Sequence, residues 1–248
     1  WDPLLIGLTT ALLAGLIMAG GLQRVAGAAS LLVPVMALLY LGGGGLILVL
    51  RAREIPAALG LIFQDALSPQ AIACGVARGI FTNEAGLGTS AMAHGAAQTD
   101  HPARQGMWGI FEVFVSTLLV CTVTALAILL TGAPDTAAAF GAVLGPPGRG
   151  IVALSLVLFA FSSILGWSCY GNQALRFLFR REVPLYRPVF LGCIVLGAVA
   201  GTGRVWRLVD VCNALLALPN LLGLLVLAPE AVRLLEAFTS SPARNSPG

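Results

Sequence analysis

One stretch of the chain collects residues that could bind an ion or hold a charge pair, within a sequence that is otherwise apolar. Residues 78–95 contain Arg78, Glu84, the amide of Asn83, the hydroxyl of Thr82 and four glycines. In hydrocarbon, each unpaired polar group costs several kcal/mol, so such residues persist only where protein or water satisfies them. This stretch is therefore the first candidate for a functional site.

Two interpretations of this stretch stay open on the residues alone. Thr82, Asn83 and Glu84 either coordinate a cation or hold the ends of an interrupted helix. Arg78 is the expected charge partner of Glu84, and their ion pair would lock a gate. His94 is expected to bond polar groups rather than to carry protons.

The composition identifies an integral membrane protein. Of the 248 residues, 58% are hydrophobic and only 10% are charged, whereas soluble domains carry roughly 25% charged residues. The 14 basic residues are arginines scattered along the chain, so we expect the lipid bilayer, and no nucleic acid, as a partner. The five cysteines show no paired spacing, which predicts neither disulfides nor a transition-metal site.

Apolar runs divide the chain into seven predicted membrane passes, one of them broken, since a spanning helix needs about 20 apolar residues. The passes are 3–20, 28–50, 70–81 with the polar break that follows, 106–132, 151–170, 186–202 and 208–228. Residues 51–69 predict a helix lying on the membrane surface. Residues 133–149, which contain three prolines, predict a loop, and residues 239–248 predict a disordered tail.

Polar side chains also follow two of the later passes. Glu112 and Ser116 are four residues apart, so they form one polar stripe on a helix. Ser162 and Ser163 are adjacent hydroxyls that could give a sodium ion oxygen ligands, or could instead bond to carbonyls of their own helix. Trp167 lies one turn beyond Ser163, where its ring either caps a small substrate or belongs to the interfacial belt.

An ordered set of motifs carries a resemblance to a known family. The motifs are Arg78–Gly88 (RGIFTNEAGLG), Ala93-His94, Thr99–Gly106 (TDHPARQG), Gly20–Arg24 (GGLQR), Val33–Ala37 (VPVMA), Cys121–Ala125 (CTVTA) and Phe161–Gly171 (FSSILGWSCYG). They closely resemble the alanine or glycine:cation symporter family, in order over nearly the whole chain.

The resemblance implies an all-α polytopic membrane bundle with the leucine-transporter-type fold, which is built from two inverted five-helix repeats. Residues 1–50 would then be the last two spans of the first repeat, and residues 51–238 the second repeat, with its broken helix near 70–90. Family members look like eleven-span proteins. We therefore expect this chain to be a C-terminal portion that works together with the missing N-terminal spans.

The resemblance also implies roles for individual residues. Sodium would be bound by Ser162, Ser163 and Asn83, and the substrate by Ser163, Trp167, Thr82 and Asn83.

The chain departs from the family pattern at two positions. Family members commonly have aspartate where Ser116 stands, and Glu112 is the candidate replacement in a gating or charge-pair role with Arg78 and Glu84. Family members often have glutamate where Asn172 stands.

The function that the resemblance implies is sodium-coupled symport of a small neutral amino acid, alanine or glycine, in the cytoplasmic (inner) membrane of a bacterium. Protons are the alternative coupling ion, and we expect no cofactor beyond the coupling sodium. No nucleophile and base stand at catalytic spacing, so we expect no enzymatic activity. The remaining alternative is a truncated, non-transporting membrane remnant or subunit.

Overall fold

The computed structural model describes residues 2–82, 84 and 86–240, and every regular element among them is a helix. The predicted site residue Asn83 lies outside the described residues. So do residues 241–248 of the predicted tail, whereas Thr239 and Ser240 are the last two residues of a helix.

Ten α-helices follow one another in the part of the chain that the structure describes. They are α1 Pro3–Met18, α2 Gly21–Leu50, α3 Ile55–Asp65, α4 Pro69–Thr82, α5 Thr89–Gly95, α6 Pro102–Val113, α7 Thr122–Thr131, α8 Thr136–Phe179, α9 Tyr186–Val199 and α10 Thr202–Ser240. A short 3-10 helix, Ala52–Glu54, precedes α3, and a π-helical segment, Phe114–Cys121, joins α6 to α7.

Each apolar run that the sequence analysis predicted as a pass lies on a helix. In the described part of the chain, four helical stretches are long and apolar enough to span a membrane: Gly21–Leu50, Pro102–Thr131, Thr136–Phe179 and Val205–Ser240. A fifth candidate is the pair Ala52–Asp65 and Pro69–Gly79, bent by 100°. Helices α1 and α9 are shorter and apolar. The chain is therefore a polytopic helical membrane protein.

The loop predicted over residues 133–149 is wrong. Helix α8 begins at Thr136, where the Asp135 carboxylate accepts a hydrogen bond from a first-turn amide at 2.8 Å. The alanine-rich residues that follow favour helix. Only Gly145 leaves helical geometry, at φ 67° and ψ −154°, so that the two prolines after it begin a new helical turn.

Contacts within the chain gather into two compact units. The first contains Trp1–Ala71 and Val120–Arg207, and the second contains Ile72–Leu119 and Leu208–Gly248. Neither unit is continuous in sequence. The division into two repeats concerns topology and stays a prediction.

The core of the first unit lies where α2 packs against α7 and α8. The Tyr40 ring stacks on Phe140 with centroids 5.5 Å apart, and the Tyr40 hydroxyl lies 2.6 Å from Thr124 Oγ1. Ile47 and Val152 are fully buried beside them. A tyrosine is tolerated in an apolar core when its hydroxyl has a partner, as it does here.

The four-glycine run in α2 is a packing surface for two of its members. Gly43 and Gly44 are buried. A Cβ on Gly43 would lie 2.9 Å from the Phe140 ring, and a Cβ on Gly44 would overlap Val123. A Cβ on Gly42 or Gly45 would meet no atom of another element within 4 Å among the described residues. Small residues let membrane helices approach closely, and that is the role of this pair.

Gly44→Ala should lower the thermal unfolding midpoint of the purified protein, because an added methyl in a packed core costs about 1–3 kcal/mol. Gly45→Ala is the matched control in the same helix, and it should leave the midpoint nearly unchanged. Equal midpoints for the two variants would contradict the packing role of Gly44.

Candidate functional site

The polar stretch interrupts a helix in the second unit. Helix α4 ends at Thr82 and α5 begins at Thr89. Between them the backbone turns through Glu84, whose φ of 57° is left-handed, and Gly88, whose φ is 78°. The Glu84 carbonyl accepts hydrogen bonds from the amides of Leu87 and Gly88, both at 3.1 Å. A non-glycine residue in this conformation costs of order 1–3 kcal/mol and is found most often at functional sites.

Asn220 of α10 holds the turn, and it is not among the site residues predicted from the sequence. Its Nδ2 donates to the Gly86 carbonyl at 3.0 Å. Its side chain also lies so close to Gly88 that a Cβ there would stand 2.9 Å from Asn220 Cγ. The signal available in the sequence was an amide beside Pro219 inside an apolar pass.

The charged residues of the stretch have partners that the sequence analysis did not predict. Glu84 Oε2 accepts a hydrogen bond from Thr89 Oγ1 at 2.9 Å. Arg78 Nη1 lies 3.9 Å from the Asp210 carboxylate, and both side chains are more than half exposed. An exposed ion pair contributes little to stability. The Arg78–Glu84 pair stays a prediction.

Thr82, predicted to bind substrate, is exposed at the end of α4. Its Oγ1 donates to the Arg78 carbonyl at 2.8 Å, one turn back on the same helix. This bond uses the hydrogen of the hydroxyl, so the oxygen lone pairs stay available for a ligand.

The Glu112 carboxylate forms a hydrogen bond with His94. His94 Nε2 lies 3.1 Å from Glu112 Oε2, and His94 Nδ1 lies 2.8 Å from Gln105 Nε2. His94 therefore bonds polar side chains, as expected, and ties α5 to α6.

The polar stripe around Ser116 lies in the π-helical segment Phe114–Cys121. Ser116 Oγ donates to the Val113 carbonyl at 3.3 Å. Thr117 Oγ1 is buried, and no described residue gives it a hydrogen bond. Inserted π turns in α-helices occur frequently at functional sites. Apolar periodicity did not reveal this one, because a π turn needs no special residue.

The two candidate serines of α8, in the first unit, differ in environment. Ser162 Oγ donates to the Phe159 carbonyl at 3.0 Å, the own-helix bond that the sequence analysis gave as the alternative. Ser163 is exposed. Trp167, one turn on, is 36% exposed, and its ring meets Tyr170 edge-on with centroids 6.0 Å apart. Ser163 and Trp167 thus share an open face of α8.

The predicted residues fall into both compact units. Ser162, Ser163 and Trp167 belong to the first, whereas Arg78, Thr82 and Glu84 belong to the second. The substrate-binding and cation-binding roles stay predictions.

Asn220→Ala should speed amide hydrogen exchange in peptides covering residues 84–90, because the Gly86 carbonyl loses its donor. Mass spectrometry of the purified protein measures this exchange. Asn213→Ala, on the same helix, is the matched control and should leave the exchange unchanged. Protection that is identical in Asn220→Ala and the unmodified protein would show that the amide does not hold the turn.

Comparison with known proteins identifies the family. The sodium:alanine symporter family model matches residues 1–246. A sodium/alanine symporter of Methanococcus maripaludis, AgcS, is 38% identical, with 96% of this chain and 57% of that protein covered. An uncharacterized transporter of Haemophilus influenzae is 40% identical, with coverages of 90% and 54%. A probable sodium/glutamine symporter of Bacillus subtilis, GlnT, is 32% identical, with coverages of 96% and 54%.

The chain therefore spans about half the length of the curated relatives that it matches. The family match covers almost every residue of it, including the interrupted helix and the serine and tryptophan face of α8. This chain belongs to the sodium:alanine symporter family, which is a family of membrane transporters and not of enzymes.

Proposed function

We propose that the protein couples sodium entry to uptake of a small neutral amino acid, alanine or glycine, across the cytoplasmic membrane of a bacterium. The observation that carries this proposal is the family match over residues 1–246. An interrupted helix in an apolar bundle supports it, because discontinuous helices supply substrate and ion sites in secondary transporters.

The proposed architecture is the leucine-transporter-type inverted repeat. In it, α1 and α2 close the first repeat and the remaining helices form the second. The bent pair of helices around residue 67 and the break before α5 suit a repeat with a discontinuous helix. Because the relatives are nearly twice as long, we propose transport for the protein that also carries their N-terminal spans.

Ser163 is the proposed sodium ligand on α8, with Ser162 beside it. Sodium is a hard cation like calcium and prefers oxygen ligands. Ser163 offers an exposed hydroxyl, whereas the hydroxyl of Ser162 already donates to its own helix. A donating hydroxyl keeps its lone pairs, so both oxygens remain able to coordinate a cation.

In the second unit, Thr82 and Asn83 are proposed to bind the amino acid, and Asn83 also the cation. Glu84 and Glu112 stay in the gating role, each with a described hydrogen-bond partner. Coupling requires that sodium raise the affinity for the amino acid, and the amino acid must then raise the affinity for sodium by the same factor.

Ser163→Ala should raise the sodium concentration for half-maximal alanine uptake about fivefold or more, within the usual range of ligand coupling. The measurement is a sodium titration of labelled alanine uptake by the complete protein in proteoliposomes. Ser30→Ala is the control, because Ser30 is an exposed serine that donates to the Gly27 carbonyl of its own helix. A sodium titration of Ser163→Ala that overlays that of Ser30→Ala would refute the role of Ser163.

Trp167→Ala should admit larger amino acids, because the indole ring is proposed to cap the substrate. The expected result is that the preference for alanine over glutamine in competition uptake falls about tenfold, since pocket contacts worth a methylene or more discriminate by 10–200-fold. Trp167→Phe keeps an aromatic cap and should retain most of the preference. Unchanged preference in Trp167→Ala would place the ring outside the substrate pocket.

A further inference from the structure

A small cavity opens at one end of the first unit, away from the face that carries Ser163. It has a volume of about 110 Å³ and lies where α1 passes into α2 and where α8 and α9 are joined. Met18 and Val25 contribute apolar surface to its lining. Asn172, Arg176 and Arg187 contribute its polar and basic part. Nothing in the proposed transport site uses these residues.

The polar part of the cavity lining includes hydrogen-bond donors that have no partner among the described residues. No bond to another described residue satisfies the side-chain amides of Asn172 and Gln173, which are half-buried in the lining. Arg176 Nε lies 3.2 Å from Glu182 Oε1. No carboxylate within the described ranges stands within 4 Å of the Arg187 guanidinium. Within the described residues, the cavity thus offers two guanidinium groups and two amides, with Glu182 as the one acid paired with them.

The start of α9 is fixed in a way that holds Arg187 at the cavity. The hydroxyl of Tyr186 donates to the Ser168 carbonyl of α8 at 2.9 Å. The Tyr186 ring also fills the space that a Cβ on Gly171 would need. Because Arg187 follows Tyr186 directly, this contact places its backbone. The backbone of Arg187 is therefore fixed at the cavity, and its exposed side chain belongs to the cavity lining.

The charge around the cavity is strongly positive. Residues 18–25 and 168–190 hold five arginines (Arg24, Arg176, Arg180, Arg181 and Arg187) against the single acid Glu182. Arginine presents a planar fork of donors that matches phosphate oxygens in pairs. Basic pockets between membrane helices are a known setting for anionic lipid headgroups. The apolar residues Leu16 and Val189, 58% and 53% exposed, continue the surface from this end along α1 and α9.

We propose that this cavity binds a phosphate group, presented by the headgroup of an anionic membrane lipid. Arg187 and Arg176 donate charge-assisted hydrogen bonds to the phosphate oxygens. The side-chain amides of Asn172 and Gln173 donate to the same group. The acyl chains lie against the exposed apolar residues of α1 and α9. The bound lipid joins the α1–α2 end to the α8–α9 end of the first unit.

The test is native mass spectrometry of the purified protein in detergent, titrated with phosphatidylglycerol, with diacylglycerol, or with inorganic phosphate alone. Arg187→Gln and Arg176→Gln should each weaken phosphatidylglycerol binding about tenfold, because each removes charge-assisted hydrogen bonds. Arg187→Lys keeps the positive charge but loses the planar fork of donors. Its affinity for phosphatidylglycerol should therefore lie between that of Arg187→Gln and that of the unmodified protein. Arg53→Gln, an exposed arginine of the first unit outside the cavity lining, should bind lipid as the unmodified protein does.

The three titrations distinguish a lipid phosphate from a soluble one. Phosphatidylglycerol binding that exceeds diacylglycerol binding, and that millimolar inorganic phosphate does not displace, identifies the lipid. Binding of inorganic phosphate alone, lost in the same two variants, supports the phosphate site but assigns it a soluble ligand. If Arg187→Gln and Arg176→Gln bind phosphatidylglycerol and phosphate as Arg53→Gln does, the proposal is overturned.

Discussion

A helix that stops inside an apolar bundle leaves backbone amides and carbonyls that hydrocarbon cannot satisfy, and the second unit of this protein is built around that constraint. Part of the demand is met locally, since the Glu84 carbonyl accepts from the amides of Leu87 and Gly88. Part is met from a distant helix, since Asn220 donates to the Gly86 carbonyl. The backbone of Glu84 adopts a left-handed conformation to make the turn. Strained backbone of this kind is found most often at functional sites.

The first unit meets the same constraint differently, by pairing polar groups of its core with neighbours inside the unit. The Tyr40 hydroxyl has Thr124, and Ser168 Oγ donates to the Leu165 carbonyl. Ser155 is the exception, because its Oγ is fully buried and no described residue bonds it. Against this background, the exposed pair Ser163 and Trp167 stands out as a polar and aromatic face that the unit itself leaves open.

Every predicted apolar run lies on a helix, because such runs have few other solutions in a membrane. Of the seven predicted passes, however, those on α1 and α9 lie on helices shorter than the four or five described stretches that are long enough to span. The sequence also located the interruption, since glycines and charges inside an apolar run rarely extend a helix. It failed over residues 133–149, where the prolines suggested a loop. There a single left-handed glycine, Gly145, absorbs the kink and lets Pro146 and Pro147 begin a new turn.

Partners far apart in sequence were beyond prediction. Nothing in the spacing links Asn220 to Gly86, or Arg78 to Asp210, because such pairs depend on how α10 packs within its unit. The π-helical segment before α7 has no residue signature. The cavity at the α8–α9 end combines residues from four helices. The arginines in the sequence could therefore indicate a positive charge in this region, but not that a cavity forms there.

The central claim is that the interruption between α4 and α5 is kept because an amino acid and an ion occupy it. The direct measurement is the alkylation rate of Thr82→Cys in proteoliposomes, with the five native cysteines replaced. Alanine and sodium together should slow alkylation strongly, whereas either solute alone should slow it far less. An alkylation rate that neither solute changes, in a protein that still folds and takes up alanine, would contradict this claim.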